Sequence, residues 1–261
     1  MPNWSEEIDI EAATGMDRSR LNGDLRPTRN DTCRSLIGLP RGSFDQDCRD
    51  PENPDFIALL MTHDFGPFRA TGIAPAVNAL MAIMADIARE LPDIHHRLGT
   101  AGMLCCRLVR GSASAVSNHA WGTAIDLKID GQLDKRGDGQ AQRGLIELWP
   151  IFNRHNWYWG AAFTTEDAMH FEASDGLIRK WAADGAFGEP RPVPVGGLSF
   201  GDRGPAVLAL QKALNARLNT RIDEDGVFGR DTRGAVIAFQ AMSGMRPTGA
   251  VTASVRDALD E

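Results

Sequence analysis

Ser117-Asn118-His119-Ala120-Trp121-Gly122-Thr123-Ala124-Ile125-Asp126 reads as a tight corner running into a strand. Gly122 permits the corner, because glycine adopts turn conformations that other residues resist. After it, Ile125, Leu127 and Ile129 alternate with Ala124, Asp126, Lys128 and Asp130. That period of two predicts a half-buried strand over residues 124–130. Asp126 falls on its polar face, and His119 stands just before the turn.

Further elements flank this one. In Met103–Val109, Leu104, Cys106 and Leu108 share one predicted strand face, and Cys105, Arg107 and Val109 the other. Trp157–Gly160 and Met169–Glu172 are two more short strand candidates. In the second, His170 and Glu172 lie opposite Met169 and Phe171. Upstream, Val77, Leu80, Met81, Met84, Ile87 and Leu91 recur at helical steps, with Pro75 and Pro92 marking the ends. Their stripe is core packing. A further helix is expected from about Gly176 to Ala183, with Leu177, Ile178 and Trp181 inward and Ser174 or Asp175 as its cap. Helices with short antiparallel strands give an α+β class: a small antiparallel sheet with flanking helices. Residues 1–55 are polar and rich in Asn, Asp, Arg, Gly and Pro. They read as an irregular arm wrapped on a domain of residues 56–187.

The run Gly188-Glu189-Pro190-Arg191-Pro192-Val193-Pro194-Val195-Gly196-Gly197 cannot join a helix or a central strand, and it reads as a semi-rigid linker over 188–197. Beyond it, residues 198–261 carry as many acidic as basic side chains, so the whole net charge of −7 lies upstream. Val207, Leu210, Leu214 and Leu218 form one helical face there, and Val236 with Phe239 another. A shorter third segment precedes Val255 and Leu259. A small three-helix C-terminal domain follows. It contains a half-repeat: Gly204-Pro205-Ala206-Val207 leads to Leu210-Gln211, and Gly229-Arg230-Asp231-Thr232 leads to Val236 and Phe239-Gln240.

Composition removes several classes of function. Lys and Arg number 28 against 35 Asp and Glu, so a basic footprint for nucleic acid is absent. No apolar run approaches the roughly 20 residues that span a bilayer, so no membrane insertion is expected. The N-terminal MPNWSEEIDI shows neither the basic nor the apolar region of a secretory signal. Cys33, Cys48, Cys105 and Cys106 form no CxxC pair and are too sparse for a disulfide scaffold. They are expected as reduced, mostly buried thiols. His63, His95, His96 and His155 lack partner motifs and read as surface or locally bonded. Trp149, Trp157, Tyr158 and Trp159 read as core. A monomer is expected.

Chemistry concentrates at His119, Asp126 and His170. Two imidazoles and one carboxylate suit zinc, and three protein ligands leave a coordination position open, as catalytic sites do. Asp167, three residues before His170, is placed to serve as a general base. The HExxH signature is absent, and His-x6-Asp alone is a weak pattern, so ordinary hydrogen-bonded histidines are the rival reading.

Ser117-x-His119-x-x-Gly122-x-Ala124-x-Asp126, followed by Trp159-Gly160 and Asp167-x-x-His170-Phe171-Glu172, resembles the D-alanyl-D-alanine carboxypeptidase family of zinc peptidases. That family includes the L-alanoyl-D-glutamate endopeptidases of phage endolysins. The resemblance covers roughly residues 60–183. It implies one zinc ion held by His119, Asp126 and His170, with Asp167 as general base and proton shuttle. It also implies an arginine on the preceding strand that grips a substrate carboxylate. Arg107 fits by position and face, and Arg110 is its rival. Ser117 either binds substrate or holds the loop. Asp at the base position is more typical of the endopeptidases than of the dipeptidases, with Glu166 a neighbouring alternative. Glu172 reads as a supporting strand residue rather than a base.

The C-terminal stretches Leu198-x-x-Gly201-Asp202-x-Gly204-x-x-Val207-x-x-Leu210-Gln211 and Asp225-Gly226-x-Phe228-Gly229-x-x-Thr232-x-x-Ala235-Val236-x-x-Phe239-Gln240 resemble the peptidoglycan-binding domain of bacterial and phage wall enzymes. Together the two resemblances imply an endolysin-like peptidase that cuts the stem peptide of peptidoglycan, at the L-alanoyl-D-glutamate bond. The alternatives are a D-Ala-D-Ala carboxypeptidase and a non-catalytic wall-binding protein. With no visible export signal, the chain is expected in the cytoplasm until it is released to the wall.

Overall fold

A computed structural model describes residues 2–187 and 197–260. The chain divides into two compact units, residues 1–190 and 191–261. The linker read at 188–197 lies, apart from Gly197, outside the described residues.

The first unit begins with β1 (Glu7–Asp9), α1 (Ile10–Thr14), α2 (Asn30–Leu36) and α3 (Pro54–Ile57). Next come the hairpin β2 (Leu60–Asp64) and β3 (Arg69–Ile73), then α4 (Ala74–Glu90) and the short α5 (Pro92–His95). The central strands are β4 (Leu98–Gly102), β5 (Ala124–Ile129), β6 (Gln132–Leu133), β8 (Trp157–Trp159) and β9 (His170–Ala173). Between β6 and β8 lie β7 (Gln140–Gln142) and α6 (Arg143–Arg154), and α7 (Asp175–Ala183) follows β9. The class is α+β. The central sheet is antiparallel, in the order β4-β5-β9-β8, with β6 pairing on β5.

Helix α4 begins with Pro75 in its first turn and buries Val77, Leu80, Ile83, Met84 and Ile87. Its apolar stripe packs into one core with the inner faces of the sheet and with Leu145, Leu148 and Phe152 of α6. Burying each such large apolar side chain contributes on the order of 1.5–3 kcal/mol. Trp157 and Trp159 are fully buried and Tyr158 nearly so, as the core reading expects. Phe152 stacks on Phe171 with ring centroids 4.0 Å apart. Helix α7 is capped by Ser174, whose hydroxyl accepts from the Leu177 N–H.

Two expectations need correction. Residues 103–109 form no continuous strand. They are held by isolated bridges, Arg49 to Cys106 and Leu108 to Val116, while the regular strand lies earlier, in β4. Nor are all four cysteines reduced: Cys48 and Cys105 form a disulfide, while Cys33 and Cys106 are buried and free. Sequence spacing carried no trace of this bond. Its two halves are 57 residues apart and meet because the segment at Asp45–Arg49 bonds along residues 106–108.

Residues 1–55 carry β1, α1 and α2 and contribute Ile10, Leu21 and Cys33 to the core. Strand β1 pairs with β7, and Asn22 donates to the Trp159 carbonyl at 3.0 Å.

Among its described residues the second unit forms three helices: α8 (Pro205–Leu218), α9 (Arg230–Met242) and α10 (Ala253–Asp260). They enclose Val207, Leu210, Leu214, Phe228, Val236, Phe239, Val255 and Leu259. The half-repeat has a structural counterpart. Buried Gln211 accepts from the Gly226 N–H and donates to Asp225, Val227 and Thr232. Buried Gln240 likewise accepts from the Gly249 N–H and donates to Thr248 and Ala250. Each glutamine fastens the loop that follows its helix. Among the described residues of both units, no helix is long and apolar enough to cross a membrane.

Candidate metal centre

His119 lies in a short 3-10 turn, Asn118–Trp121, that ends at Gly122 with φ +61°. A side chain on Gly122 would meet the Gly72 Cα at 2.7 Å, and one on Gly72 would meet the Gly122 carbonyl at 2.5 Å. Two glycines therefore let β3 and the corner pass backbone to backbone, which fixes where His119 stands. Asp126 and His170 are direct cross-strand partners in the β5–β9 register. The sheet itself brings these two groups together.

Three atoms converge. His119 Nε2 lies 3.1 Å from Asp126 Oδ1 and 3.2 Å from His170 Nδ1, and His170 Nδ1 lies 3.0 Å from Asp126 Oδ1. The outward nitrogens explain their orientation. His119 Nδ1 faces the Met103 carbonyl at 3.2 Å, and His170 Nε2 faces Glu172 Oε2 at 3.0 Å. A carbonyl and a carboxylate only accept, so those nitrogens carry protons and the opposite nitrogens turn their lone pairs inward. Lone pairs from two imidazoles and a carboxylate oxygen meeting within about 3 Å repel unless a cation lies among them. The donor set of two nitrogens and one oxygen fits zinc.

Electrostatics agree. Burial raises the Asp126 pKa, but His119 and His170 outweigh it and hold the carboxylate well below its usual range. Burial also works against an imidazolium at His170, yet Asp126 and Glu172 overcome it and raise the pKa to about 10. The pocket is thus built to hold positive charge, either a proton or a metal ion in its place.

Glu172 is buried and fully engaged. Beside His170, it accepts from the Thr28 N–H at 2.9 Å and from the Asn118 side chain at 2.8 Å. Asn118 in turn donates to the Thr28 carbonyl. The support of the candidate metal centre therefore runs into the N-terminal arm, which sequence patterns did not reveal. Local motifs carry no record of a partner 144 residues away.

Asp167 sits at the rim. Its N–H donates to the Gly160 carbonyl and its carbonyl accepts from the His170 N–H, both at 3.1 Å. A side chain on Gly160 would meet the Asp167 carbonyl at 2.6 Å, which accounts for glycine after Trp159. Burial pushes the Asp167 pKa up, with His170 and Arg136 opposing. Glu166 faces away and is spent on backbone N–H groups. Arg107 is half-buried and close enough to feel Asp126 and Asp167, whereas Arg110 is exposed. Ser117 is buried, and its N–H donates to the Arg107 carbonyl at 3.0 Å.

Residues 110–173 match the family described as D-alanyl-D-alanine carboxypeptidase, a stretch that holds His119, Asp126, Asp167 and His170. Arg107 lies three residues upstream of the matched carboxypeptidase stretch, and Arg110 is its first residue. Residues 203–259 match a second family, described as a peptidoglycan binding domain. The crystal structure of a Burkholderia AP3 phage endolysin is similar at 39% identity, over 24% of this chain and 24% of that one, with a TM-score of 0.24. The likeness therefore spans about a quarter of that endolysin's length. No curated protein matches the chain.

Proposed function

We propose that the protein is a zinc-dependent peptidase that hydrolyses the stem peptide of peptidoglycan, at the L-alanoyl-D-glutamate bond, in the manner of an endolysin. The observation that carries this is the inward convergence of His119 Nε2, His170 Nδ1 and Asp126 Oδ1. The family of residues 203–259 supports peptidoglycan as the polymer on which the enzyme is held.

When bound, zinc supplies a Lewis acid that polarises the scissile carbonyl and makes water acidic near neutral pH. His119, Asp126 and His170 hold it. Asp167 takes the proton from the attacking water and returns it to the leaving amine; a carboxyl raised by burial suits both halves of that task. Arg107 grips a carboxylate of the peptide, for which its planar fork is suited. Ser117 holds the Arg107 backbone in place. The chain stays in the cytoplasm until the wall becomes accessible, and it acts as a monomer.

The test is mass spectrometry of purified peptidoglycan digested by zinc-loaded protein beside a His170→Ala control. New D-Glu amino termini on released peptides are expected. Release of free D-Ala would make the enzyme a carboxypeptidase. Identical fragments from both proteins would leave only a wall-binding protein.

A further inference from the structure

Glu166 and Asp167 are neighbours in sequence that face opposite ways. Glu166 is 2% exposed. Its Oε2 accepts from the backbone N–H groups of Gly137, Asp138 and Gly139 at 3.0, 3.1 and 3.1 Å, and its Oε1 accepts from Ala168 at 2.9 Å. Consecutive N–H groups aimed at one oxygen form an anion-binding nest. Here the anion is the protein's own side chain, and it folds the loop between β6 and β7. Gly137 and Gly139 hold φ of +85° and +78°, which the nest requires and which glycine adopts at little cost.

The loop so folded carries Arg136. Its Nε lies 3.4 Å from Asp167 Oδ2, with the Arg136 side chain 39% exposed. The Asp167 main chain is already fixed by Gly160 and His170. Its backbone position is therefore settled without Arg136, and the direction of its carboxylate is not.

We propose that Arg136 is a positioning residue: it aims the Asp167 carboxylate, and Glu166 aims Arg136 by folding its loop. This rests on the peptidase reading, in which Asp167 carries the proton. A separation of 3.4 Å is an ion pair rather than a short hydrogen bond, so Asp167 is steered without being locked. The arrangement is a closed circuit. The backbone of residues 166–168 places both acids, Glu166 places the loop, and the loop returns an arginine to Asp167.

The experiment compares steady-state cleavage of a soluble stem peptide by zinc-loaded wild type, Arg136→Gln, Arg136→Lys, Glu166→Gln and the Arg136→Gln/Glu166→Gln double variant, with zinc content measured for each. Arg136→Gln should lose about tenfold in kcat with KM within about twofold, because a misaimed base costs turnover rather than binding. Arg136→Lys should recover much of the loss. The double variant should be no slower than Glu166→Gln alone, since both act on one aim. Unchanged kcat in Arg136→Gln overturns the proposal. So does a rise in KM alone, which would make Arg136 a substrate clamp, or a loss of zinc, which would make it a support of the metal ligands. An inactive wild type overturns the peptidase reading and this proposal with it, whereas an active wild type matched by Arg136→Gln overturns the proposal alone.

Discussion

At the scale of single residues, the candidate metal centre is defined as much by what lies behind the imidazoles as by the three groups that would hold the ion. Met103 and Glu172 fix which nitrogen of each ring faces inward. His170→Ala should abolish both zinc retention and cleavage, read by metal analysis beside peptide release. Asp167→Asn should keep zinc and fold but lose about 10²-fold or more in turnover; full activity in that variant would end the case for Asp167 as base. Glu172→Gln should keep the fold and weaken zinc binding by about 10- to 100-fold in a chelator competition, because the partner behind a ligating histidine sets its orientation and basicity. The sequence showed His119, Asp126 and His170 as candidates because their motif is compact. It showed neither Thr28 nor Arg136, whose parts depend on contacts across long sequence separations.

Among the elements, the corner after His119 and the loop before β7 matter most. Gly122→Ala forces a Cβ against the Gly72 backbone at a positive φ. A loss of more than about 2 kcal/mol in urea unfolding is expected, together with weaker zinc retention. Asp134, at the start of the loop, shows a different effect. Burial, reinforced by Glu166, Glu7 and Asp138, raises its pKa to about 7 against the opposing hydrogen bond from Gln142. Its ordinary value is 3.8, so between about pH 4 and 7 the folded chain keeps a proton that the unfolded chain has released. Stability therefore falls as pH rises through that window and levels off above it. Asp134→Asn removes the titration, so its thermal midpoint should exceed the wild type's by a margin smallest near pH 4 and largest above pH 7. A margin independent of pH would remove Asp134 as the cause. Strand β5 and helices α4 and α7 were legible because each carries an apolar period, and β8 and β9 as short runs rich in aromatic residues. Helix α6 went unread although Leu145, Leu148, Ile151 and Phe152 recur at helical steps on its buried face; Pro150 inside it is the residue type that argues against a helix. Residues 103–109 alternate like a strand but are paired only at single bridges.

For the whole molecule, two compact units pair a candidate peptidase with a segment similar to a family described as a peptidoglycan binding domain. Removing residues 198–261 should leave cleavage of a soluble stem peptide nearly unchanged and slow cleavage of intact sacculi by about tenfold or more, since tethering raises local substrate concentration without touching the chemistry. Equal loss on both substrates would show that the C-terminal unit supports catalysis directly. The boundary between the two units, after residue 190, falls in the proline-rich run that was legible in the sequence. The dependence of residues 56–187 on the arm before them was not, because the arm's polar composition resembles that of a dispensable tail. Thr28 binding Glu172 has a practical bearing on anyone assembling chimeric lytic enzymes from interchangeable parts. A cassette trimmed to begin at residue 56 would discard the brace behind a candidate metal ligand along with Cys48, and its loss of function would have a cause no motif search could flag. A transferable piece has to include Thr28 and Cys48.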